Sequence, residues 1–170
     1  MPGEKDVFVN QAYLTVVESA ANTLTFNKLL TGTSIYEKVG WIISRIDYFF
    51  SVDSTNFGAD NDAFDFGISV TDQITAVGME YSGVLDWNRV KRVDLGTAGS
   101  GFVQRFPISK SFADLQGGGI LVPPNPLFIF GKGIALTSAI TLYARMFYTV
   151  KMLKVEDYWE LVELRRMVGV

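Results

Sequence analysis

The chain has 170 residues, with 15 basic against 18 acidic side chains and a formal charge of −3. It is long enough to bury a core without a disulfide or metal staple, and it has no surplus of positive charge for holding nucleic acid non-specifically. It contains no histidine and no cysteine, which removes the side chain best placed to move protons near neutral pH, the commonest metal ligand and the strongest intrinsic nucleophile.

Hydrophobic residues reach 48% and charged residues only 19%, against about a quarter charged in an ordinary domain. So little charge leaves apolar surface in need of other copies or a partner. A single domain spanning 1–170 is expected. No apolar run resembles a signal peptide or reaches the roughly 18 residues of a membrane span, and no Asn-x-Ser/Thr sequon occurs.

Met1–Asp6 is polar and expected to be a flexible N-terminus. Val7–Glu18 reads as the first strand and Thr23–Leu29 as a short second one. Ile35–Val52 is the clearest early strand. Strict alternation places Ile42, Ser44, Ile46, Tyr48 and Phe50 on one face and Trp41, Ile43, Arg45, Asp47 and Phe49 on the other. Both faces are then partly apolar, which predicts cover on both sides, and Arg45 and Asp47 are placed to pair. Asp53–Ala63 is a polar loop.

Phe64–Val70, Gln73–Tyr81, Asp86–Leu95 and Phe102–Ile108 follow as strand candidates, with Gly96–Gly101 a turn. Ser109–Gly119 is a loop ending in three glycines. Ile120–Val122 and Leu127–Phe130 are short strands on either side of a proline-rich break, Gly131–Gly133 a turn, and Ser138–Leu153 a long final strand. Val155–Val168 is the one strong helix. Val155, Tyr158, Trp159, Val162 and Met167 cluster at helical spacing, with Glu156 and Asp157 in the first turn and Arg165 and Arg166 in the last, as the helix dipole favours. Eight or nine strands without intervening helices predict an antiparallel sandwich or barrel. Missing Asn-Gly and Asp-Gly hairpin turns point to crossing connections rather than a meander.

Candidate chemistry is sparse. Asp60, Asp62 and Asp65 are closely spaced carboxylates that calcium could use, but Phe64 stands at a ligand position of the EF-hand pattern, and its glycine and terminal glutamate are missing. Gly117-Gly118-Gly119 and Gly131-Lys132-Gly133 both lack the P-loop context and read as turns. Arg89, Lys91 and Arg92 form the densest basic cluster, with Trp87 on the same strand face as Arg89 and Lys91. They are the candidate nucleic-acid contact, against the alternative of a solvated face whose long stems cover apolar surface. No Gly-x-Ser-x-Gly elbow occurs, and neither a catalytic residue nor a cofactor is expected.

The order of motifs carries a resemblance. Trp41-Ile42-Ile43-Ser44-Arg45-Ile46-Asp47-Tyr48 comes first, then Phe106-Pro107, Phe112-Ala113-Asp114-Leu115, Gly117-Gly118-Gly119-Ile120-Leu121-Val122-Pro123-Pro124 and Pro126-Leu127-Phe128. Leu142-Tyr143-Ala144-Arg145-Met146-Phe147-Tyr148-Thr149-Val150 and Tyr158-Trp159-Glu160-Leu161 close the series. Across residues 35–165 this resembles the single jelly-roll coat proteins of small icosahedral viruses, most of all the compact coats of uncultured viruses.

The resemblance implies an all-β, eight-stranded antiparallel jelly-roll sandwich with a C-terminal α-helix. It implies many identical copies in a closed shell, location in the virion, contact with a viral genome and no catalytic residues. The Arg/Lys-rich N-terminal arm of many such coats is not found in this sequence. Tyr158, Trp159 and Val162 on the final helix are the expected subunit contacts. A jelly-roll binding module (a spike, a decoration protein or a carbohydrate-binding domain) is the alternative. A cupin-type enzyme is disfavoured, because its metal site normally uses histidines.

Overall fold

A computed structural model describes residues 9–30, 38–51, 57–75, 77–78, 80–81, 83–94, 101–102, 107–122 and 126–168. The expected loose segment Met1–Asp6 lies outside them. Two antiparallel sheets face each other. In the first, β1 (Asn10–Val17) pairs with β11 (Thr141–Met152), β11 with β3 (Val39–Ser51), and β3 with β8 (Ile108–Ser111) and β9 (Ile120–Val122). β8 and β9 run along successive stretches of the same β3 edge, as one strand interrupted by a loop. In the second sheet the order is β2 (Thr25–Leu29), β10 (Leu127–Ile134), β4 (Ala63–Ser69), β5 (Val84–Lys91). A small ribbon joins β6 (Val93–Asp94) and β7 (Gly101–Phe102), and α1 (Val155–Val168) follows β11.

The chain passes back and forth between the sheets. It goes from β1 to β2, from β2 to β3 and from β3 to β4. β4 and β5 are neighbours, and β5 is followed by the split β8–β9 strand, β10 and β11. Such crossings let each sheet contain strands far apart in sequence, which is the connectivity of a jelly roll.

Inner-face residues of both sheets fill the space between them. Ile46, Tyr48, Phe64, Phe66, Ile68, Ile129 and Leu142 are almost wholly buried. Each such side chain contributes about 1.5–3 kcal/mol through removal from water. The rings interlock across the interface: Tyr48 meets Phe66 edge-on at 5.2 Å between centroids, and Phe50 sits 5.7 Å from Phe64.

β3 does not alternate as a regular strand. Phe147 pairs with Arg45, but Tyr148 pairs with Ile43, so Ser44 has no partner on β11. This bulge flips the parity. Trp41 and Ile43 before it, and Ile46, Tyr48 and Phe50 after it, all face inward and are buried, while Arg45 and Phe49 are exposed. Two-sided apolar cover, as strict alternation predicts, is therefore wrong for this strand: one face is core and the other meets solvent. The anticipated Arg45–Asp47 pair is present, with Nε 2.7 Å from Oδ1.

The break between β8 and β9 occurs at the same point. The Phe112 N–H donates to the Ser44 carbonyl at 2.8 Å, and the chain re-enters the sheet at Gly119. There, a β-carbon would collide with the Ile43 carbonyl oxygen. Gly117 and Gly118 have φ of 91° and 79°, so turn geometry explains these glycines.

Three other expectations give way. The expected loop Ser109–Gly119 begins inside strand β8, where Ser109–Ser111 pair with β3. The described residues between Thr71 and Gly83 form turns and bends rather than the strand expected over Gln73–Tyr81. Short polar side chains hold the backbone locally there: the Gln73 N–H donates to Thr71 Oγ1 at 3.1 Å, and the Ser69 hydroxyl donates to the Thr71 carbonyl at 2.7 Å. Gly131–Gly133 is not a turn but the middle of β10, where Gly131 leaves room for the Phe64 ring that a β-carbon would meet.

Candidate functional site

The outer face of the first sheet, the exposed side of β5, the acidic loop before β4 and helix α1 hold the polar and apolar groups available for recognition. Alternation along β5 turns Asn88 and Val90 inward and Arg89 and Lys91 outward. Cross-strand register sets Lys132, Asp65 and Arg89 in one row. Arg89 grips the buried Asp65 carboxylate with two bonds, Nε to Oδ1 at 2.6 Å and Nη2 to Oδ2 at 2.7 Å. That hydrogen bonding raises the Arg89 pKa further. Its guanidinium carbon also lies 5.4 Å from the centroid of the Trp87 ring.

Arg92 points elsewhere, donating from Nη1 to the Phe57 carbonyl at 2.6 Å. Lys91 is exposed opposite Ala63. The three bases are thus unequal. Arg89 neutralises a carboxylate that burial would otherwise penalise, Arg92 ties strand β5 to a loop, and Lys91 alone of the three stands exposed without an ion pair among the described residues.

The acidic residues are likewise built into the fold. Asp62 is buried and accepts the Ala59 N–H at 2.7 Å, closing a turn in which Asn61 has φ of 72°. Asp60 is exposed and accepts a bond from the Asn61 amide at 3.0 Å. Asp65 faces Arg89. Among the described residues no three acidic side chains approach closely enough to share a metal ion.

Helix α1 has the bounds expected from its spacing. It begins with the Tyr158 N–H donating to the Lys154 carbonyl at 2.9 Å. Its apolar positions divide: Tyr158 is buried, whereas Val155 and Trp159 are about half exposed, at 47% and 57%. Tyr158 and Trp159 meet edge-on at 5.8 Å. The Val162 side chain lies outside the described residues.

A further surface escaped the sequence reading. On the outer face of the first sheet, Tyr13, Phe49 and Tyr143 are exposed at 66%, 51% and 43%. The Arg145 guanidinium lies 5.2 Å from the Tyr13 ring centroid, and that of Arg45 lies 5.3 Å from Phe147. Strict alternation had placed Phe49 beside Trp41 and Ile43 as a two-sided core residue. The bulge at Ser44, which no residue type announces, is what turns it to solvent.

Connectivity and burial define the class: an antiparallel jelly-roll sandwich with a C-terminal helix and a solvent-exposed outer face on its first sheet. No protein-family model and no curated protein matches the chain. Among solved structures it is similar to Trichodysplasia spinulosa-associated polyomavirus (TSPyV) VP1, with a TM-score of 0.43 and 8% identity, over 89% of this chain and 98% of that one. The fold assignment rests on the strand order itself. No helix among the described residues is long and apolar enough to cross a membrane.

Proposed function

We propose that this protein is the structural subunit of an icosahedral viral shell, self-assembling from many identical copies into the capsid of a virion. The observation that carries the proposal is a jelly-roll body whose large apolar side chains remain exposed at its edges and ends, among them Val9, Val17, Leu30, Met152 and Trp159. A solitary molecule gains nothing from such surface, while neighbouring copies remove it from water. The motif order of the sequence supports the same reading. Its role is structural, with no catalytic step and no cofactor, and 1–170 acts as one domain.

Helix α1 is the proposed contact element. Val155 and Trp159 lie open on an isolated subunit, and Tyr158 and Val162 share the helix with them. Removing residues 155–170 is expected to leave a folded subunit that no longer assembles; intact particles from the truncated chain would refute the helix contact. Chromatography with negative-stain microscopy tests the shell itself. Uniform particles of megadalton size are expected, and a stable monomer or trimer at high concentration under all buffers would sink the reading. That second result would favour a jelly-roll binding module, a role for which the exposed aromatics Tyr13, Phe49 and Tyr143 also speak. The Lys91 face is proposed as a secondary contact for a viral genome, and any ion held by Asp60, Asp62 and Asp65 would require neighbouring copies to supply ligands.

A further inference from the structure

We infer that the outer face of the β1–β11–β3 sheet is a stacking surface for single-stranded nucleic acid. Cross-strand register builds the surface in rows. Tyr13 of β1 stands beside Arg145 of β11, which stands beside Asp47 of β3, and the next rows hold Phe147 with Arg45 and Tyr143 with Phe49. Neighbouring strands lie about 4.8 Å apart, and same-face residues along a strand about 7 Å apart, so along β11 Arg145 falls between the rings of Tyr143 and Phe147, and across the sheet it stands beside Tyr13. Arg145 and Arg45 each lie over a ring, and Phe49 and Tyr143 are tilted together at 6.2 Å. Rings on which bases stack, with cations beside them for the phosphates, are what single-strand recognition requires.

Charge selects this occupant over the alternatives. The strand residues of this face include Arg45, Arg145 and the exposed Lys151 against the single acid Asp47, in a chain of formal charge −3. Asp47 is already engaged by Arg45. Among the described residues, the side chains of Arg145 and Lys151 make no hydrogen bond or ion pair, so they are available to a polyanion. A second copy seated face to face would bring these like charges together and desolvate them without partners. A neutral glycan would leave them unused. The surface is present on a lone subunit, so the inference goes beyond shell formation and does not depend on it.

The test titrates the purified full chain against a fluorescently labelled oligothymidylate of about 20 nucleotides, long enough to exceed the site size of a single domain, and against a duplex of equal length. The expected result is preferential binding of the single strand that weakens with salt. Tyr143→Ala and Arg145→Ala should each lower affinity by about ten-fold without shifting the thermal midpoint, since both side chains are exposed. Lys28→Ala, an exposed side chain on β2 of the opposite sheet, should leave binding unchanged.

Failure of the wild-type chain to bind the single strand at low salt would overturn the inference. So would equal binding of the duplex, or affinity untouched by both substitutions. Substitutions that alter only the oligomeric state would assign the face to a second copy and also overturn it. Particle formation is scored separately on the same preparations. Shells that bind no oligonucleotide defeat this inference and leave the capsid reading standing; binding by a chain that never assembles does the reverse.

Discussion

Tyr48 reaches across the core from β3, and its hydroxyl donates to Asp86 Oδ2 at 2.7 Å; the Asn88 amide donates to the same oxygen at 2.7 Å. All three residues are buried. Burial first, then the charge and hydrogen bond of Asp86, hold the Tyr48 hydroxyl well above the usual tyrosine range. An unfolded tyrosine ionises near pH 10 while the folded one resists. The resulting stability is therefore whole below about pH 10 and is lost as pH rises toward the folded value. Tyr48→Phe should flatten this alkaline decline. At neutral pH it should cost about 1–3 kcal/mol, because Asp86 loses a partner while still buried. Denaturant midpoints measured at neutral and alkaline pH check both effects.

Glu18 is a second such tie. Its buried carboxylate accepts the Gly133 N–H at 2.6 Å and the Ile140 N–H at 2.9 Å, fastening the end of β1 to β10 and the approach to β11. Glu18→Gln places an amide donor against one of these N–H groups and should cost about 2 kcal/mol in chemical unfolding. Asn22, at φ of 65°, exchanges two bonds with the Leu136 backbone nearby, at 2.7 Å and 3.0 Å.

Among the elements, β3 shows how one unpaired residue governs a sheet. The bulge at Ser44 brings two inward-facing sets, Trp41 with Ile43 and Ile46 with Tyr48 and Phe50, onto the same face. Deleting Ser44 restores strict alternation and must drive one set into solvent. The expected outcome is loss of the folded state, read as the disappearance of near-ultraviolet circular dichroism. Gly119→Ala acts at the same junction: its β-carbon meets the Ile43 carbonyl, so β9 must shift away from β3. Loss of a few kcal/mol is expected, measured by thermal unfolding. Helix α1 was legible in advance because capping charges and apolar spacing are local signals. That Tyr158 is buried while Trp159 is exposed was not, because spacing alone does not tell which helix positions find cover.

For the whole molecule, the jelly-roll order means that each sheet is completed by strands from opposite ends of the chain, β1 beside β11 and β2 beside β10. Long-range pairing of this kind forms slowly. It produces a body held by sheet ladders and an aromatic core, with the outer face of the first sheet open to other contacts. A shell subunit uses such faces and edges for its neighbours. The partition proposed here gives helix α1 and the apolar edges to protein contacts, and the aromatic, cationic face of the first sheet to nucleic acid.

Composition, alternation and turn residues were enough to read an all-β sandwich, most of its strands, the final helix, the Arg45–Asp47 pair and the turn role of Gly117 and Gly118, since each depends on neighbours a few positions apart. They also located Arg89, Lys91 and Arg92, but not their separate roles, because the Asp65 carboxylate and the Phe57 carbonyl are brought to Arg89 and Arg92 only by the folded chain. Tertiary structure alone decided the inward aim of Tyr48 onto Asp86, the parity change at Ser44, and the gathering of Tyr13, Phe49 and Tyr143 on one face. The physical reason is that strand register and sheet order are fixed by pairing between distant segments, and a side chain's face follows from that pairing once a single extra residue has broken the period.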